Sequence, residues 1–523
     1  MAEATARRRS RRSRLIEERG GGPAQLGWRA VVNPHAPLTP LSAGQLAEVH
    51  DVSMRILEDL GIEVVSETAR RLFKKAGAIV DDETHMVRIG RDAVMETIAT
   101  APQTFTLTPR NPARRIAIGG NAINFGLVSG PPNVHDRIHG RRPACFADYQ
   151  NLIRLGQHFN IIHFFGNQAV APMDLPANTR HLDTYRANLL LSDKVFSAVS
   201  IGSGRTRDAV KISAIAQGVS MDDLIRTPCT FTNININSPR KLDNEMADGA
   251  MQMAALGQAT IVTPFTLMGA MTPVTLAAAL AQQNAEALFG IMLTQLVRPG
   301  APVVYGAFTS NVDLRSGAPA FGTPENGKAN VVGGQLARHY RLPHRTSACN
   351  ASNCVDAQAV YETQMALWGA VLGHGNLIYH AAGWMEGGLV ASFEKLVLDV
   401  EMLQSMAEFL KPIEISPEEF GMQAIAETAP GGHFFGAQHT LERYKTAFYE
   451  PLVSDWQNNE NWRQAGAQDA TERATAVWQT VLKDFQAPEF SPERLEEVDE
   501  FIARRKLEIG AGEPEFPIEL PGS

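Results

Sequence analysis

Eight short runs of β-branched and aromatic residues recur between residues 123 and 382, each followed by a longer stretch with helical spacing of apolar residues. The runs are INFGLV at 123, IIHFFGN at 161, VFSAVSI at 195, CTFTNINI at 229, TIVTPFTL at 260, PVVYGAFT at 302, HRTSACN at 344 and NLIYHAA at 376. Such alternation is typical of β–α units, which build parallel sheets. It predicts an α/β fold, a (β/α)8 TIM barrel, with an open doubly wound sheet as the alternative.

Capping signals predict where several helices of this region begin. Ser238-Pro239, Thr272-Pro273 and Thr323-Pro324 each pair an N-cap oxygen with a proline at the first helical position. Asn353 is the predicted N-cap of the helix after the seventh strand, with Asp356 reaching back to it three residues later. These signals explain polar residues near helix starts without any catalytic role.

The rest of the chain divides around the barrel. Residues 1–22 carry six arginines between residues 7 and 14, upstream of a GGGP sequence, and are predicted to form a disordered basic tail. Residues 23–118 mix one helix with short strand-like segments and are predicted to form an α+β cap. The barrel is assigned to residues 119–412. Residues 413–523 are predicted to be a helical extension packed on the barrel or over its mouth.

Composition and charge exclude several classes of partner. The net charge of −8 argues against nucleic acid or an anionic membrane as partner of the folded body, because both require a basic face. No apolar run reaches the roughly 20 residues that span a bilayer, and no apolar segment follows the basic tail, so we expect a cytoplasmic protein. The four cysteines lack the spacing of a zinc site, and no directly bound metal is expected.

A (β/α)8 barrel places its site where the strands end, because the strand-to-helix loops converge there. The residues that this rule brings near one mouth are rich in amides and aromatics and short of charge: Phe125, Asn167, Gln168, Ser200, Asn235, Asn237, Phe265, Met268, Phe308, Thr309, Cys349, Asn350, His380 and Trp384. An aromatic wall favours a quaternary ammonium group through cation–π contacts of roughly 0.5–2 kcal/mol per ring. Phe265 and Phe308 fit the barrel core equally well.

The familiar nucleotide and hydrolase motifs are missing. No G-x-G-x-x-G follows the first strand, which argues against a nicotinamide dehydrogenase. No G-x-S-x-G is present, so a hydrolase of that kind is excluded. A barrel lyase or hydrolase acting through Asp356 or Glu362 stays open as an alternative.

Five segments resemble the trimethylamine methyltransferase family of corrinoid-dependent barrel enzymes. They are AMTPVTLAAALAQQNAEALFGIMLTQLVRPGAPVVYG at 270, GTPEN at 322, LARHYRLP at 336, DAQAVYE at 356 and PGGHFFGAQHTLERY at 430. The resemblance spans roughly residues 40 to 510, with the segments in the family's order. It implies a (β/α)8 barrel that presents a methylated amine to the cobalt of a corrinoid protein.

One departure from the family changes the expected substrate. Members acting on trimethylamine carry pyrrolysine shortly before the DAQA segment, at or beside Cys349 in this chain. The chain resembles the branch without pyrrolysine, whose substrates are quaternary amines, so glycine betaine is expected first. Trimethylamine or another methylamine is the alternative within the class, and a non-catalytic binder of methylated ammonium compounds is the alternative outside it.

The resemblance and the strand-end rule together predict the site residues. Cys349 and Asn350 are the predicted catalytic positions, and Phe265, Phe308 and Trp384 the predicted cage. The polar contacts to substrate are Asn235, His380 and Asn350, with His433 added from the C-terminal segment. The chain lacks the D-x-H-x-x-G motif of cobalamin-binding domains, so a separate corrinoid-binding protein is expected to bring cobalamin to the barrel mouth. Whether the chain forms a homo-oligomer stays open.

Overall fold

The eight predicted strands form a closed parallel barrel in a computed structural model that describes residue 23, residues 25–512 and residue 518. The predicted basic tail at residues 1–22 lies outside this described part. The last barrel strand pairs with the first, which closes the sheet and rules out the open doubly wound alternative. The strands are β1 (Ala122–Leu127), β2 (Phe164–Phe165), β3 (Val195–Ala198), β4 (Phe231–Ile234), β5 (Ala259–Val262), β6 (Val303–Gly306), β7 (His344–Ser347) and β8 (Leu377–Ala382).

A helix follows every barrel strand. These helices are α1 (Phe146–His158), α2 (Arg180–Leu191), α3 (Gly202–Gln217), α4 (Asn244–Ala255), α5 (Leu276–Val297), α6 (Pro324–His339), α7 (Ala357–Leu372) and α8 (Phe393–Phe409). Their apolar faces pack on the barrel, which is the arrangement that buries parallel strands on both sides. The (β/α)8 barrel prediction is therefore confirmed.

Only some of the predicted caps are used. Thr323 accepts a hydrogen bond from the Asn326 backbone N–H with Pro324 at the first helical position, as predicted. The Ser238-Pro239 prediction is wrong, because α4 begins only at Asn244 and Asp243 is its N-cap residue. Thr272-Pro273 is also wrong, because α5 begins only at Leu276.

The predicted cap of α7 needs a similar correction. Asn353 does not cap this helix, since Asp356 is itself the N-cap residue and accepts from the backbone N–H groups of Gln358 and Ala359. A carboxylate at this place satisfies donors that no backbone carbonyl reaches.

One segment before the barrel closes its N-terminal end, and the others pack beside the chain that follows β4 and beside α5. A hairpin of Phe105–Leu107 and Ile116–Ile118 packs its apolar side chains against the barrel interior around Phe164 and Phe231. A second small sheet combines Ile62–Val64, Ile79–Asp81, Met86–Arg88 and Lys241–Leu242. Helices Ala43–Arg55, Glu67–Lys75 and Arg91–Ile98 lie beside α5. The bottom of the barrel is therefore filled, and the opposite end is left for a site.

Helix α5 is buried almost throughout because the barrel covers one side and the N-terminal helices cover the other. Its apolar character therefore reflects a core helix. No helix in the described residues is long and apolar enough to cross a membrane.

Two small sheets rise above the C-terminal end of the barrel. Phe265–Met268 pairs in parallel with Phe308–Val312, which pairs in turn with Pro319–Ala320. On the opposite side, Trp384–Met385, Val390–Ser392, Asn133–Asp136 and Gly140–Pro143 form a four-stranded sheet. These sheets extend the barrel wall past strands β5, β6 and β8.

The chain after α8 is helical. Helix Ala470–Lys483 packs against α8 and α1, and helix Pro492–Gly510 packs against α3 and α2. Between them and α8 lie the shorter helices Pro417–Phe420, Met422–Glu427, Gln438–Arg443 and Asn459–Gln464. Most residues of these shorter helices are exposed.

Candidate functional site

Five rings form one cluster at the C-terminal end of the barrel. Phe265 and Phe308 lie 5.0 Å apart between ring centroids, and Phe321 lies 5.3 Å from Phe308. Trp384 lies 6.3 Å from Phe321 with its ring perpendicular, and 4.0 Å from His380. The structure therefore brings together four of the predicted site residues, Phe265, Phe308, His380 and Trp384, and adds Phe321.

Local strand pairing explains why these rings meet. Phe265 and Phe308 begin the two parallel strands above β5 and β6 and are direct neighbours in register. Thr266 and Thr309, the next pair, share a hydrogen bond of 2.7 Å between their hydroxyls. Because side chains of paired residues project on the same face, the two phenyl rings line the same wall.

Asn350 holds the tryptophan in place. Its side-chain amide donates to the backbone carbonyl of Trp384 at 2.5 Å. The backbone carbonyl of Asn350 accepts from the Trp384 indole N–H at 3.2 Å. Asn350 is completely buried. This predicted catalytic residue therefore contacts Trp384 through two hydrogen bonds, and its role in substrate binding stays a prediction.

A buried arginine lies directly beneath the aromatic cluster. The Arg345 guanidinium carbon is 5.0 Å from the centroid of the Phe308 ring and 4.4 Å from that of Tyr379, and the residue is 2% exposed. Within the described part of the chain, its Nε and Nη1 have no hydrogen-bond partner, and no carboxylate pairs with it. Its Nη2 lies 3.5 Å from His380 Nε2. Burial lowers the pKa of Arg345 to about 10, so it is charged at neutral pH.

His380 is set at this place by an irregular strand end. The pairing of β8 with β1 shifts register between Ile378 and Ala382, and His380 has φ of 55°. Positive φ at a non-glycine residue is costly and clusters at functional sites. Burial, helped by the Arg345 charge, lowers the pKa of His380 well below its usual value, so the imidazole is neutral. Because arginine only donates, Nε2 is the acceptor, and we assign the proton to Nδ1, 3.5 Å from Ser129 Oγ.

Cys349 lies at the end of β7 and is 1% exposed. Burial raises the pKa of its thiol, with the Arg345 charge acting in the opposite direction. The thiol is therefore neutral at pH 7 and presents a small side chain rather than a thiolate. Its assignment as a catalytic position stays a prediction.

Two predicted substrate contacts, Asn235 and His433, interact with residues other than those of the cluster. Asn235 follows β4 by one residue and accepts a 3.4 Å hydrogen bond from Asn233. His433 is exposed in the C-terminal extension, where its ring lies 5.5 Å from Phe435. Among the described residues, no hydrogen bond or ring contact joins either residue to the aromatic cluster, and both roles stay predictions.

The acids of the alternative hydrolase hypothesis have structural partners. Asp356 caps α7. Glu362 accepts from the backbone N–H groups of Ala351 and Ser352 at 2.9 and 3.1 Å. Both carboxylates therefore have a structural role: they stabilise the loop after β7 and the start of α7.

Sequence reasoning missed Arg345 and Phe321. An arginine inside HRTSACN, a strand buried on both faces, was a usable signal, because a charged side chain in such a strand needs a partner. The sequence predicted a barrel mouth with few charged residues, and the buried Arg345 beneath the aromatic cluster departs from that prediction. Phe321 follows a two-residue strand that no periodicity reveals. Its place in the cluster depends on the turn between Val312 and Pro319.

The arrangement can hold a molecule that carries both charges. Electron-rich ring faces attract a quaternary ammonium group, and the free N–H groups of Arg345 attract a carboxylate. In the described residues, no group of three or more histidines, cysteines or acids lies close enough to hold a metal ion. The geometry is suited to binding and orienting a small zwitterion.

Comparisons with known proteins identify the family of the chain. The family described as "Trimethylamine methyltransferase (MTTB)" matches residues 7–510. A glycine betaine methyltransferase of Desulfitobacterium hafniense (strain Y51) is 34% identical over 90% of this chain and 98% of its own. A trimethylamine methyltransferase of D. hafniense (strain DSM 10664 / DCB-2) is 29% identical over 88% and 92%, and a proline betaine:corrinoid methyltransferase of Eubacterium limosum is 28% identical over 75% and 82%. The chain is a methyltransferase and belongs to the trimethylamine methyltransferase family.

Proposed function

We propose that this methyltransferase moves a methyl group from glycine betaine to the cob(I)alamin of a separate corrinoid protein. Two of the related enzymes named above act on betaines, and one acts on trimethylamine. The choice between these substrates rests on one observation in this chain. Arg345 is buried and charged beneath the aromatic cluster, and in the described part of the chain no carboxylate pairs with it.

The unpaired arginine favours a substrate with a carboxylate. A buried charge without a partner costs several kcal/mol, so a protein keeps one where a ligand supplies the opposite charge. Glycine betaine separates its carboxylate from its quaternary nitrogen by a single carbon. We propose that the carboxylate binds Nε and Nη1 of Arg345 while the trimethylammonium group contacts Phe265, Phe308 and Trp384. Trimethylammonium lacks the anion and would place a second cation beside Arg345.

The reaction requires little acid–base catalysis from the residues of the chain. The corrinoid cofactor supplies the nucleophile that takes the methyl group. The carbon–nitrogen bond that breaks leaves its electron pair on nitrogen, so dimethylglycine departs without a proton transfer. The residues at the mouth orient the reacting methyl and exclude water from it. A neutral His380 and a neutral Cys349 suit this role, because neither competes with the substrate for charge.

The corrinoid protein is proposed to dock over the strand ends. Phe265 is partly exposed, whereas Phe308 and Trp384 are 9% and 7% exposed, so Phe265 marks the side of the cluster nearest the surface. A methyl group held against Phe265 would face the partner. Asn235 and His433, both outside the cluster, are proposed to contact the substrate or the partner when the complex forms.

A transfer assay tests the proposal. Purified enzyme is mixed with cob(I)alamin under reducing conditions and either glycine betaine, choline or trimethylamine, and the absorbance change on methylation is followed. Choline is the matched control, because it keeps the trimethylammonium group and lacks the carboxylate. We expect transfer from glycine betaine at a rate at least tenfold above that from choline.

Each other outcome points elsewhere. Transfer from trimethylamine in preference to glycine betaine would assign the chain to the tertiary amine. Tight binding of glycine betaine without transfer from any amine would favour a non-catalytic binder. Equal rates with glycine betaine and choline would contradict the role of Arg345.

A further inference from the structure

A closed ring of buried hydrogen bonds lies behind the aromatic cluster. Lys395 Nζ contacts Asp399 and donates to Thr363 Oγ1 at 3.0 Å. Thr363 Oγ1 accepts at 3.2 Å from Asn350, which also donates to the Trp384 carbonyl. Asp399 Oδ2 accepts at 2.8 Å from the backbone N–H of Gly383, the residue before Trp384. The series of bonds therefore begins at the Trp384 carbonyl and ends at the backbone N–H of Gly383, the residue before it.

The members of this ring come from four separate parts of the barrel. Lys395 and Asp399 lie one turn apart on α8, and Thr363 lies on α7. Asn350 follows β7, and Gly383 follows β8. The ring thus connects the loop after β7 and the turn after β8, which meet at Trp384, to two helices of the outer layer.

The ion pair is a costly way to fill this space. Lys395 is 0% and Asp399 2% exposed, and burial raises the pKa of the Asp399 carboxyl. Replacing a buried ion pair by apolar residues of similar volume is often neutral or stabilising. We therefore infer that the Lys395–Asp399 pair serves to orient a neighbouring segment rather than to stabilise the packing of α8.

The element that is oriented is the turn at Gly383 and Trp384. Gly383 has φ of 95°, a conformation that its N–H bond to Asp399 holds. A Cβ at Gly388, which also has positive φ, would lie 2.7 Å from the Trp384 ring, so the indole has little room on that side. The hydrogen bonds fix the backbone at Trp384, and this close contact limits the space around its indole.

We propose that Lys395 and Asp399 are positioning residues that hold Trp384 against the ligand through Asn350, Thr363 and Gly383. The effect on substrate binding rests on the proposed function. The effect on Trp384 does not depend on any ligand. The pair touches neither substrate nor cofactor.

The test follows Trp384 directly. The protein has six tryptophans, and incorporating 5-fluorotryptophan gives each a ¹⁹F resonance; the resonance missing in Trp384→Phe identifies that of Trp384. In Lys395→Met we expect the Trp384 resonance to shift or broaden. The dissociation constant for glycine betaine, measured by calorimetry, should rise roughly 3- to 30-fold, as expected when one cation–π wall is displaced.

Lys194→Met is the matched control. Lys194 is also buried, donates to the carbonyls of Gly156 and Phe159, and lies 5.4 Å from the Trp28 ring at the opposite end of the barrel. This variant should lower the melting temperature and move the Trp28 resonance. It should leave the Trp384 resonance and the betaine affinity unchanged.

A second variant covers the case in which Lys395→Met folds poorly. Lys395→Met/Asp399→Asn removes both charges and keeps an oxygen that accepts from the Gly383 N–H. Its melting temperature should recover while the Trp384 resonance stays displaced, because the bond to Thr363 is still missing. An unchanged Trp384 resonance in both variants would overturn the proposal. Failure of the wild type to bind glycine betaine would contradict only the proposed function. The Trp384 resonance would still report whether Lys395 and Asp399 hold Trp384 in place.

Discussion

Replacing Arg345 by methionine should have opposite effects on stability and on binding. The guanidinium is 2% exposed, and within the described residues its Nε and Nη1 lack a partner. The substitution keeps an apolar stem of similar length between the Phe308 and Tyr379 rings and removes an uncompensated charge. We expect the free energy of unfolding of the ligand-free protein to rise by about 1–4 kcal/mol, by analogy with the gain found when buried ion pairs are replaced by apolar residues.

The same variant should bind glycine betaine weakly. Truncating one partner of a buried, hydrogen-bonded charge pair costs about 2–5 kcal/mol, which corresponds to a dissociation constant roughly 30- to 4,000-fold higher. Choline lacks the carboxylate, so its weak binding should not weaken further. Denaturant titration measures the stability, and calorimetry with both ligands measures the affinities.

Arg338→Met provides the control. Arg338 is half-buried near the end of α6, donates to the Gly373 carbonyl and has no ring contact with the aromatic cluster among the described residues. Its loss should leave the affinity for glycine betaine within about twofold and should not stabilise the protein. If Arg345→Met destabilised the ligand-free protein and left the affinity for glycine betaine intact, Arg345 would be a structural residue and the reasoning would fail.

Three further predictions concern the same site. Trp384→Ala should raise the dissociation constant for glycine betaine by at least tenfold through loss of cation–π and packing contacts, and unchanged affinity and turnover would remove Trp384 from the cage. Because burial lowers the pKa of Arg345 to about 10 and only the protonated form attracts a carboxylate, affinity measured by calorimetry should be constant from about pH 7 to 9 and fall as the pH rises above about 10; a flat profile to about pH 11 would contradict this. Iodoacetamide at about pH 8 should label the exposed Cys354 and spare Cys349, whose buried thiol has a raised pKa, as read by peptide mass spectrometry; rapid labelling of Cys349 would show an accessible thiolate.

The barrel was predictable because every strand is buried on both faces and therefore stands out as an apolar run. Each of the eight predicted runs overlaps a barrel strand, although β2 keeps only Phe164 and Phe165 in the ladder. The caps at Ser238, Thr272 and Asn353 were wrong, since a short polar side chain before a helix-compatible segment also suits a turn. Asp356, three residues after Asn353, is the N-cap of α7 because its carboxylate reaches two backbone N–H groups.

The site was only partly predictable. Strand-end position brought Phe265, Phe308, His380 and Trp384 into one set, and the structure places their rings together. The link from Asn350 to Trp384 joins residues 34 apart in sequence, and no local pattern reveals it. Arg345 carried a local signal, a charge in a buried strand, but its missing partner is visible only in three dimensions.

The structure of the enzyme with glycine betaine bound tests the central claim most directly. The account predicts the carboxylate within hydrogen-bond distance of Arg345 Nε and Nη1, with the trimethylammonium group against the faces of Phe308 and Trp384 and one methyl group directed outward past Phe265. A carboxylate bound away from Arg345, or a trimethylammonium group outside the aromatic cluster, would contradict it.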